Sequence, residues 1–581
     1  MSAELYFRLP EFTAPALSPD GRNIAFIAQT EGHACLFKLD RVTGRIEGLF
    51  NPGKGDVKYF WWLGNQRVLV GGNDVDHTTT RYFLQELVKS KPRLLSVLDD
   101  IPADRLTFLP DDPGHVLALD FRQQGRLIKI DVVSGYSRLV ESFISDLDYT
   151  IVSIDGEVRA KIWGQDWKWH TAWRSQAKQP WHTAESPIED WPNFLPGSIA
   201  ADIRHILGFA FGAGDTVAVE LLDPETGQRT VVARRPHRDT YTFLWQAPQA
   251  TPVGAIFYNN GPEDIVFFDE EAKRFSTALD MSLPGMLHRV TSASKDGNLR
   301  IIQAWQPCYP ARYFLFDQVQ LRLSLLGEER PGILPGALGN VHFFQFTTRD
   351  GVNESGYVIM PKSAHDPKPV PLLVMAMGEV GERAASANYF SASDQFFVSR
   401  GFAVAHFAVR GSAGYGRKFK QAGEFQLAGK IVEDFEDGVA HLAHEKLIHP
   451  DHVALMGYGR GGLFALRTAA LSKTFSAAVA YDTDCDLSAE SIRWMSSSLA
   501  ETRVIIRQAG GSHKAYEWSQ VDYREADHVS PAVYEAGIYT KIADFLDKTL
   551  KCIAANRMDL VLAALRRGRF AALSYEHSRP R

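Results

Sequence analysis

The chain of 581 residues has little cysteine, no excess of positive charge and no long apolar run. Its four cysteines form no C-x-x-C pair, which argues against structural zinc and agrees with a reducing compartment: Cys35, Cys308, Cys485 and Cys552. A net charge of −6 provides no general surface for nucleic acid. No apolar run reaches the roughly 18–20 residues that span a bilayer, and the N-terminus MSAELYFRLPEF lacks a secretory leader pattern. We therefore expect a cytoplasmic protein without a membrane partner.

The first half of the sequence contains a repeat. FKLDRVTGR, IKIDVVSGY and ELLDPETGQ each end a strand-like run with an aspartate and close a tight turn with glycine, and these anchors lie 91 and 92 positions apart. That spacing is twice a repeat of about 46 residues, which is typical of a four-stranded propeller blade. With degenerate copies included, the anchors are Asp40, Glu86, Asp131, Ser175, Asp223, Asp269 and Asp317. Seven hairpins in phase predict a seven-bladed β-propeller over about residues 1–335, rather than an irregular β-sandwich.

A Gly/Pro-rich linker, GILPGALG, ends this region near residue 335. Beyond it, PLLVMAM, FAVAHFAV, HVALMGY and FSAAVAY are longer apolar runs that alternate with helical patterns. Such alternation predicts a doubly wound, mostly parallel α/β sheet over residues 336–550. Residues 551–581 form a basic tail. Apolar residues at helical spacing predict an amphipathic helix there: Ile553, Met558, Val561, Leu562 and Leu565.

The stretch HVALMGYGRGGLFAL, residues 452–466, fits a cofactor site in one interpretation. Gly457, Gly459 and Gly462 satisfy G-x-G-x-x-G, the turn that brings the backbone close to a pyrophosphate. Asp482 stands 20 residues past Gly462, where a dinucleotide-binding fold places its ribose-binding acid. Such a turn normally opens its domain, however, whereas here it follows three strand-like runs. Dinucleotide binding at Gly457–Gly462 is therefore the lesser alternative.

In the other interpretation the same stretch is a nucleophile elbow, the sharp strand-to-helix turn of α/β-hydrolases. That turn reads G-x-S-x-G, and the present sequence is one residue away from it. The five positions are Gly457, Tyr458, Gly459, Arg460 and Gly461. Glycine thus stands where the serine belongs.

Further segments resemble the prolyl oligopeptidase family of serine peptidases, especially its dipeptidyl-peptidase and acylaminoacyl-peptidase branches. FRLPEFTAPALSPDGRNIAFIA resembles the family's first blade, and FTTRDGVNESGYVIMP resembles the strands that lead into its catalytic domain. Residues 410–416 are similar to its R-G-S-x-G-Y-G loop, and YREADHVSP resembles a later segment. The resemblance covers nearly the whole chain. It implies a propeller followed by an α/β-hydrolase domain, with no metal or other cofactor.

When this sequence is compared with the family's motifs position by position, the comparison predicts that the catalytic residues are missing. Gly459 occupies the nucleophile position and has no side-chain oxygen. The family's oxyanion-side motif H-G-G-P aligns with residues 377–380, where Glu379 would oppose a developing oxyanion. YREADHVSP runs almost directly into SPAVYEAGIYTKIADFLDKTL, so we predict that the segment carrying the acid and the histidine is deleted and that the α/β domain is truncated. A competing alignment takes TRVIIRQAGG as the acid-bearing strand and offers Asp522, Asp527 or His528 as survivors.

Other candidates have simpler interpretations. Ser412, within the R-G-S loop, and Ser512 with His513 are predicted to lie in turns. The tryptophan-rich segment 163–173 could form a platform for a ligand, but packing within a blade is the preferred interpretation.

One group of residues has the side chains that ligate metals. Its members are His441, His444, Glu445 and His449. Their spacing matches no zinc-peptidase motif, so we predict a solvated helix face.

Taken together, these patterns predict a non-catalytic homologue that binds peptides in the cavity between its domains or binds a protein partner. The enzyme alternative is a serine-type peptidase or esterase with an unrecognised nucleophile. Loss of strands would expose a sheet edge, which the tail or a second copy of the chain would have to cover.

Overall fold

The computed structural model describes residues 1–30, 32–53, 55–73, 80–88, 91–122, 125–142, 147–187, 192–247, 251–257, 261, 263–362, 369–376, 387–424, 426, 429–458, 460–481, 503–506, 531–547 and 550. After a short helix, α1 (Ala3–Phe7), these residues form seven small antiparallel sheets and then one seven-stranded sheet with helices on both faces. None of the described helices is both long and apolar enough to cross a membrane.

The first three blades each consist of four consecutive antiparallel strands. Blade 1 contains β1 (Thr13–Leu17), β2 (Asn23–Thr30), β3 (His33–Asp40) and β4 (Ile46–Phe50). Blade 2 contains β5 (Asp56–Trp62), β6 (Arg67–Asn73), β7 (Thr80–Glu86) and β8 (Arg93–Leu94). Blade 3 contains β9 (Leu106–Phe108), β10 (His115–Asp120), β11 (Arg126–Asp131) and β12 (Ser137–Ser142). Two 3₁₀ turns precede β9, at Ser96–Leu98 and Ala103–Arg105.

The remaining four blades complete the ring. Blade 4 contains β13 (Leu147–Val152), β14 (Val158–Gln165), β15 (Lys168–Trp173) and β16 (His182–Pro187). Blade 5 contains β17 (Leu195–Ile199), β18 (Ile206–Ala210), β19 (Ala218–Leu222) and β20 (Arg229–Ala233). Blade 6 contains β21 (Thr240–Leu244), β22 (Gly254–Phe257), β23 (Asp264–Phe267) and helix α2 (Glu270–Ser282). Blade 7 contains β24 (Leu287–Ala293), β25 (Leu299–Trp305), β26 (Arg312–Asp317) and β27 (Arg322–Glu328).

The predicted seven-bladed propeller is confirmed, and every predicted anchor ends or follows the third strand of a blade. The turn chemistry explains why aspartate recurs. Asp40 Oδ1 accepts hydrogen bonds from the backbone N–H groups of Val42 and Thr43 at 2.9 and 3.1 Å. Asp131, Asp223 and Asp317 each accept the corresponding pair of N–H groups. A short carboxylate therefore shapes the turn to the fourth strand.

Blade 6 departs from the prediction, because its anchor begins a helix instead of a hairpin. Asp269 Oδ1 accepts a hydrogen bond from the backbone N–H of Ala272 at 2.6 Å and caps α2. Glu270 and Glu271 in the first helical turn favour the same outcome, because negative charge stabilises a helix N-terminus. The predicted hairpin is wrong here because the same aspartate chemistry serves both a turn and a helix cap.

The blades pack through separate apolar clusters, each shared by two neighbouring blades. Alternate residues of one strand point to opposite neighbours: Leu69 of β6 packs toward blade 3, whereas Val68 and Val70 pack toward blade 1. The ring closes in the same way. Leu17 and residues of β2 pack against blade 7, and the Leu17 N–H donates to Ser292 Oγ at 2.9 Å.

The second domain follows a 3₁₀ turn at Pro335–Ala337. Its strands are β28 (Asn340–Thr347), β29 (Asn353–Met360), β30 (Val370–Ala376), β31 (Ala403–Ala408), β32 (Ile448–Tyr458), β33 (Ala477–Tyr481) and β34 (Arg503–Ile506), in the sheet order β28-β29-β31-β30-β32-β33-β34. Only the β28–β29 and β29–β31 pairs are antiparallel. Its helices are α3 (Ala392–Val398), α4 (Arg417–Gln421), α5 (Lys430–His444), α6 (Arg460–Leu471) and α7 (Pro531–Leu546). The predicted doubly wound α/β architecture is confirmed.

Two large apolar layers cover this sheet. Val374 and Leu455 belong to the layer shared with α5 and α6. Leu373 and Met456, their neighbours in sequence, belong to the opposite layer with α3 and α7. Both faces of the central strands are thus buried, which explains their continuous apolar runs.

The first helix belongs to this second domain by packing, whereas the sequence pattern predicts a propeller over residues 1–335. Tyr6 of α1 is fully buried, and its ring lies 6.1 Å from that of Phe396 in α3. Phe7 stacks on Tyr539 of α7 with ring centroids 4.6 Å apart. These two adjacent aromatic side chains bury their rings against the helices of the α/β domain. The N-terminal segment therefore packs on the second domain, although the propeller follows it in sequence.

Candidate functional site

The predicted elbow has the backbone geometry of a sharp strand-to-helix turn. β32 ends at Tyr458 and α6 begins at Arg460, so a single residue separates strand from helix. A Cβ atom added to Gly457 would overlap the backbone of Gly461 and Gly462, and only glycine fits there. Gly461 itself is buried. Gly459, the vacant nucleophile position, lies outside the described residues.

The elbow lies at the carboxyl edge of the sheet, and this edge faces the propeller. Gly457 pairs in register with Ala376, the last residue of the neighbouring strand β30. Ala387 is the first described residue after β30, and its carbonyl accepts a hydrogen bond from the backbone N–H of Cys308 in blade 7 at 2.9 Å. The loop after β31 likewise reaches the propeller, where the Asp239 N–H donates to the Gly414 carbonyl at 2.8 Å. The space beside the elbow is therefore between the two domains.

Two tyrosines are exposed near this edge. Tyr458, the last residue of β32, is 60% exposed. Tyr389 follows Ala387, is 54% exposed and stacks on Trp305 of blade 7 with ring centroids 6.2 Å apart. Aromatic surface is thus available between the domains for an apolar or peptide group.

Several residues singled out in the sequence lie outside the described residues. They are Glu379 with the rest of residues 377–380, Asp482, Ser512, His513, Asp522, Asp527, His528 and the tail residues Ile553, Met558, Val561, Leu562 and Leu565. Their predicted roles stay predictions.

The strand β34 bears on the predicted deletion. It consists of residues from TRVIIRQAGG and pairs in parallel with β33. The chain therefore supplies a strand beyond β33 from the segment that the competing alignment takes as the acid-bearing strand. A parallel strand there covers the edge of β33 that the predicted loss of two strands would have exposed.

The histidine group does not converge. His441 of α5 stacks on Phe344 with ring centroids 5.5 Å apart, whereas His444 projects into solvent beside Glu445. His449 lies in β32 and stacks on His452 at 4.0 Å. Within the described part of the chain, no three histidine, cysteine or acidic side chains are placed so that they could hold a metal ion together. The helix face is thus solvated only in part, because His441 packs against the sheet.

The tryptophan-rich segment packs only in part. Trp163 stacks on His170 across the β14–β15 pair with ring centroids 5.1 Å apart, and Trp173 packs beside the cluster shared by blades 4 and 5. Trp167, in contrast, is 84% exposed at the tip of the hairpin and has a φ of +60°. Packing is the wrong interpretation for Trp167, because a two-residue hairpin turn projects its side chains away from the blade.

Sequence reasoning missed a buried histidine–carboxylate pair. His406 Nε2 lies 3.0 Å from Asp394 Oδ2, and both side chains are buried. Tyr357 stacks on the imidazole with ring centroids 4.7 Å apart. The nearby thiol of Cys308 is no nucleophile, because burial raises its pKa far above the ordinary value. The single histidine within the apolar run FAVAHFAV was the signal, and its position in the middle of a central strand keeps it from the carboxyl edge.

Sequence reasoning also missed the role of the R-G-S loop. Ser412 is a turn residue, as predicted, with its N–H donating to the Val409 carbonyl at 3.0 Å. Arg410, however, is an ion-pair centre: its guanidinium group binds Asp350 and Asp434. The motif thus supplies an anchored loop that connects the sheet to the propeller.

The structure joins a propeller to an α/β-hydrolase sheet that has an elbow at its carboxyl edge. This is the architecture that the sequence resemblance implied. Residues 388–548 match the family model described as the prolyl oligopeptidase family. The α/β domain is therefore similar to this family, as the sequence resemblance predicted.

Two curated relatives extend the similarity. Dipeptidyl aminopeptidase BIII of Pseudoxanthomonas mexicana is 24% identical over 489 residues, which cover 80% of this chain and 69% of that protein. Dipeptidyl peptidase family member 6 of Caenorhabditis elegans is 22% identical over 275 residues, which cover 44% of this chain and 37% of that protein.

Solved structures share the fold. A puromycin hydrolase structure matches with a TM-score of 0.59 and 18% identity, covering 84% of this chain and 79% of that one. A structure from a study of two prolyl endopeptidases matches with a TM-score of 0.65 and 12% identity, covering 95% and 91%. The similarity extends over both domains.

Proposed function

We propose that this protein is a non-catalytic member of its family that binds a peptide, or a peptide segment of a protein partner, between its two domains. The observation that carries the proposal is the glycine at position 459, directly between the end of β32 and the start of α6. Acyl transfer at an elbow requires a nucleophilic side chain at that position, and glycine has none.

The described residues nearby support this proposal. His406 is the histidine with a buried carboxylate partner, but it is held within the sheet under Tyr357. Cys308 is a buried neutral thiol. Neither group can replace a serine–histidine pair at the carboxyl edge.

Two arguments support a peptide-like ligand. Tyr458 and Tyr389 present aromatic surface at the edge that faces the propeller. Similar proteins are named as a dipeptidyl aminopeptidase and a puromycin hydrolase. We therefore expect affinity for short peptides and aminoacyl compounds, and no affinity for NAD or FAD.

The catalytic half of the proposal is tested with the purified full chain. A fluorophosphonate probe should not label it, and aminoacyl nitroanilides and puromycin should not be hydrolysed above background. Gly459→Ser should also fail, since a lone serine hydroxyl without a base is a poor nucleophile. An active family member treated in parallel shows that the probe works. Labelling of the unmodified protein would refute the proposal, and labelling of Gly459→Ser alone would reveal a surviving base, with His528, Asp522 and Asp527 the first residues to replace.

The binding half is tested by titration calorimetry with puromycin. Tyr389→Ala should weaken binding by about fivefold, because an aromatic contact contributes roughly 1 kcal/mol. Tyr136→Ala is the matched control: Tyr136 is a comparably exposed tyrosine in the β11–β12 turn of blade 3. Equal effects of the two substitutions would place the ligand elsewhere. No binding of puromycin or of short peptides would refute the ligand class.

A further inference from the structure

Arg410 joins three elements of the α/β domain through one buried guanidinium group. It donates to both carboxylate oxygens of Asp350, in the β28–β29 turn, at 2.7 and 2.9 Å. It also donates to both oxygens of Asp434, in α5, at 2.6 and 2.7 Å. Arg410 itself begins the loop that follows β31. Bidentate pairing on both sides fixes the start of this loop.

A third carboxyl group lies against this ion-pair centre. Glu354 of β29 is buried, and its Oε1 accepts a hydrogen bond from the backbone N–H of Arg410 at 2.8 Å. Its Oε2 is buried and meets no donor among the described residues. The neighbouring group is the carboxylate of Asp434, and two carboxyl groups can share a hydrogen bond only when one of them is protonated.

The local charges require such a proton. Three carboxyl groups, those of Asp350, Glu354 and Asp434, surround a single guanidinium group. The other cation is the half-exposed Lys430, whose Nζ lies 3.7 Å from Asp350. Of the three carboxyl groups, only that of Glu354 receives no cation from the side chains that the structure describes. An ionised Glu354 would add an unpaired buried charge beside the carboxylate of Asp434, which is strongly unfavourable.

The far end of the same loop holds the propeller. The Gly416 N–H donates to Asp239 Oδ2 at 3.2 Å, and the Lys418 N–H donates to Asp215 Oδ1 at 2.9 Å. The Arg417 N–H donates to the Asp215 carbonyl at 2.9 Å. We call residues 410–418 together with Asp215 and Asp239 the clasp. Arg410 and these propeller contacts therefore lie on one continuous segment, at most eight residues apart.

We propose that one proton shared by Glu354 and Asp434 controls the clasp, so that its loss loosens the contact between the α/β domain and blades 5 and 6. The groups facing the pair are Arg410 from the loop, Asp350 from the β28–β29 turn and Lys430 from α5. An ionised Glu354 carboxylate would repel the Asp434 carboxylate and compete with it for the Arg410 guanidinium group. The inference does not depend on whether the elbow binds a ligand.

The electrostatics agree with this assignment. Burial, and then the charge of Asp434, raise the pKa of Glu354 from 4.5 to about 9. The Arg410 hydrogen bonds hold the pKa of Asp350 well below its usual range. For an acid whose pKa is raised by folding, the stabilisation is complete below pH 4.5 and is lost as the pH rises to about 9. Within the folded protein Glu354 keeps its proton at neutral pH, because its pKa there is about 9, so the clasp should be closed at neutral pH and open in alkaline solution.

Hydrogen exchange followed by mass spectrometry tests the proposal on the full chain, with labelling pulses shortened at high pH to match faster chemical exchange. Between pH 7 and pH 10, amides of residues 414–418 should lose about tenfold or more of their protection. Glu354→Gln keeps a donor toward Asp434 without a charge and should abolish this loss. Glu436→Gln removes a carboxylate from the same helix that pairs with Arg349 instead, and should leave the loss unchanged.

Difference infrared spectroscopy of the unmodified protein provides a second measurement that needs no variant. A protonated carboxyl group has a carbonyl stretch distinct from that of a carboxylate, and we expect this signal at neutral pH and its disappearance in alkaline solution. Absence of the signal at pH 7 overturns the proposal. Equal loss of protection in Glu354→Gln and in the unmodified protein overturns it as well.

Discussion

The propeller and the α/β domain bury their strands in different ways. The propeller distributes its core over small clusters between neighbouring blades, and each strand pairs with the next strand along the chain. The α/β domain concentrates its core in two layers on one sheet, whose order β31-β30-β32 brings distant segments together. A destabilising substitution in one blade should therefore disturb only the neighbouring clusters, whereas a substitution in a central strand of the α/β sheet should disturb the packing of a whole layer. This difference predicts where substitutions will be tolerated.

The largest expected effect is the loss of stability when a glycine of the elbow is replaced by alanine, compared with the same replacement in a propeller turn. Gly457→Ala places a Cβ against the backbone of Gly461, and backbone atoms of a packed strand and helix cannot move apart. We expect a loss of more than about 3 kcal/mol and failure of the α/β domain to fold. Gly44→Ala is the control: Gly44 has a φ of +72° in the β3–β4 turn, with no atom near an added Cβ.

For Gly44→Ala we expect a cost of about 1 kcal/mol from the left-handed backbone alone. Yield of soluble protein and thermal denaturation of both variants provide the measurement. Equal costs for the two substitutions would contradict the claim that the elbow is held by close backbone contact.

The next effect compares matched core leucines, Leu455 in β32 and Leu69 in β6, both fully buried. Each change to alanine should cost about 2–5 kcal/mol through lost contacts and a cavity. Leu455→Ala should reduce exchange protection in strands throughout the α/β sheet, whereas Leu69→Ala should act on blades 2 and 3. Hydrogen exchange resolved by peptide distinguishes these patterns. If both substitutions lower protection evenly in both domains, the chain unfolds as a single unit and the comparison fails.

The smallest expected effect is a difference in stability between two substitutions at one propeller position. Trp167 is exposed and has a φ of +60°, a backbone region that favours glycine. Trp167→Gly should therefore be more stable than Trp167→Ala by about 1 kcal/mol, because alanine keeps the strain and glycine removes it. Chemical denaturation of the two variants measures the difference. No advantage of glycine would show that the turn relaxes when the indole is absent.

Sequence and structure agree best where interactions are local. The anchors Asp40, Asp131 and Asp223 could be recognised because an aspartate, two N–H donors and a glycine act within five residues. The glycines of the elbow were recognisable for the same reason. Asp269 shows the limit, since the next residues, and not the anchor, decided between strand and helix.

The sequence by itself determined the blade period, the alternation of strands and helices in the second domain and the glycine at position 459, because each is written in residues close along the chain. Only the tertiary structure decided that α1 packs on α3 and α7, that His406 is held beneath Tyr357, and that Glu354 lies against Asp434. Glu354 and Asp434 are 80 residues apart in sequence. Their shared proton results from burial and from the position of one arginine between three segments, and neither is encoded at a fixed spacing.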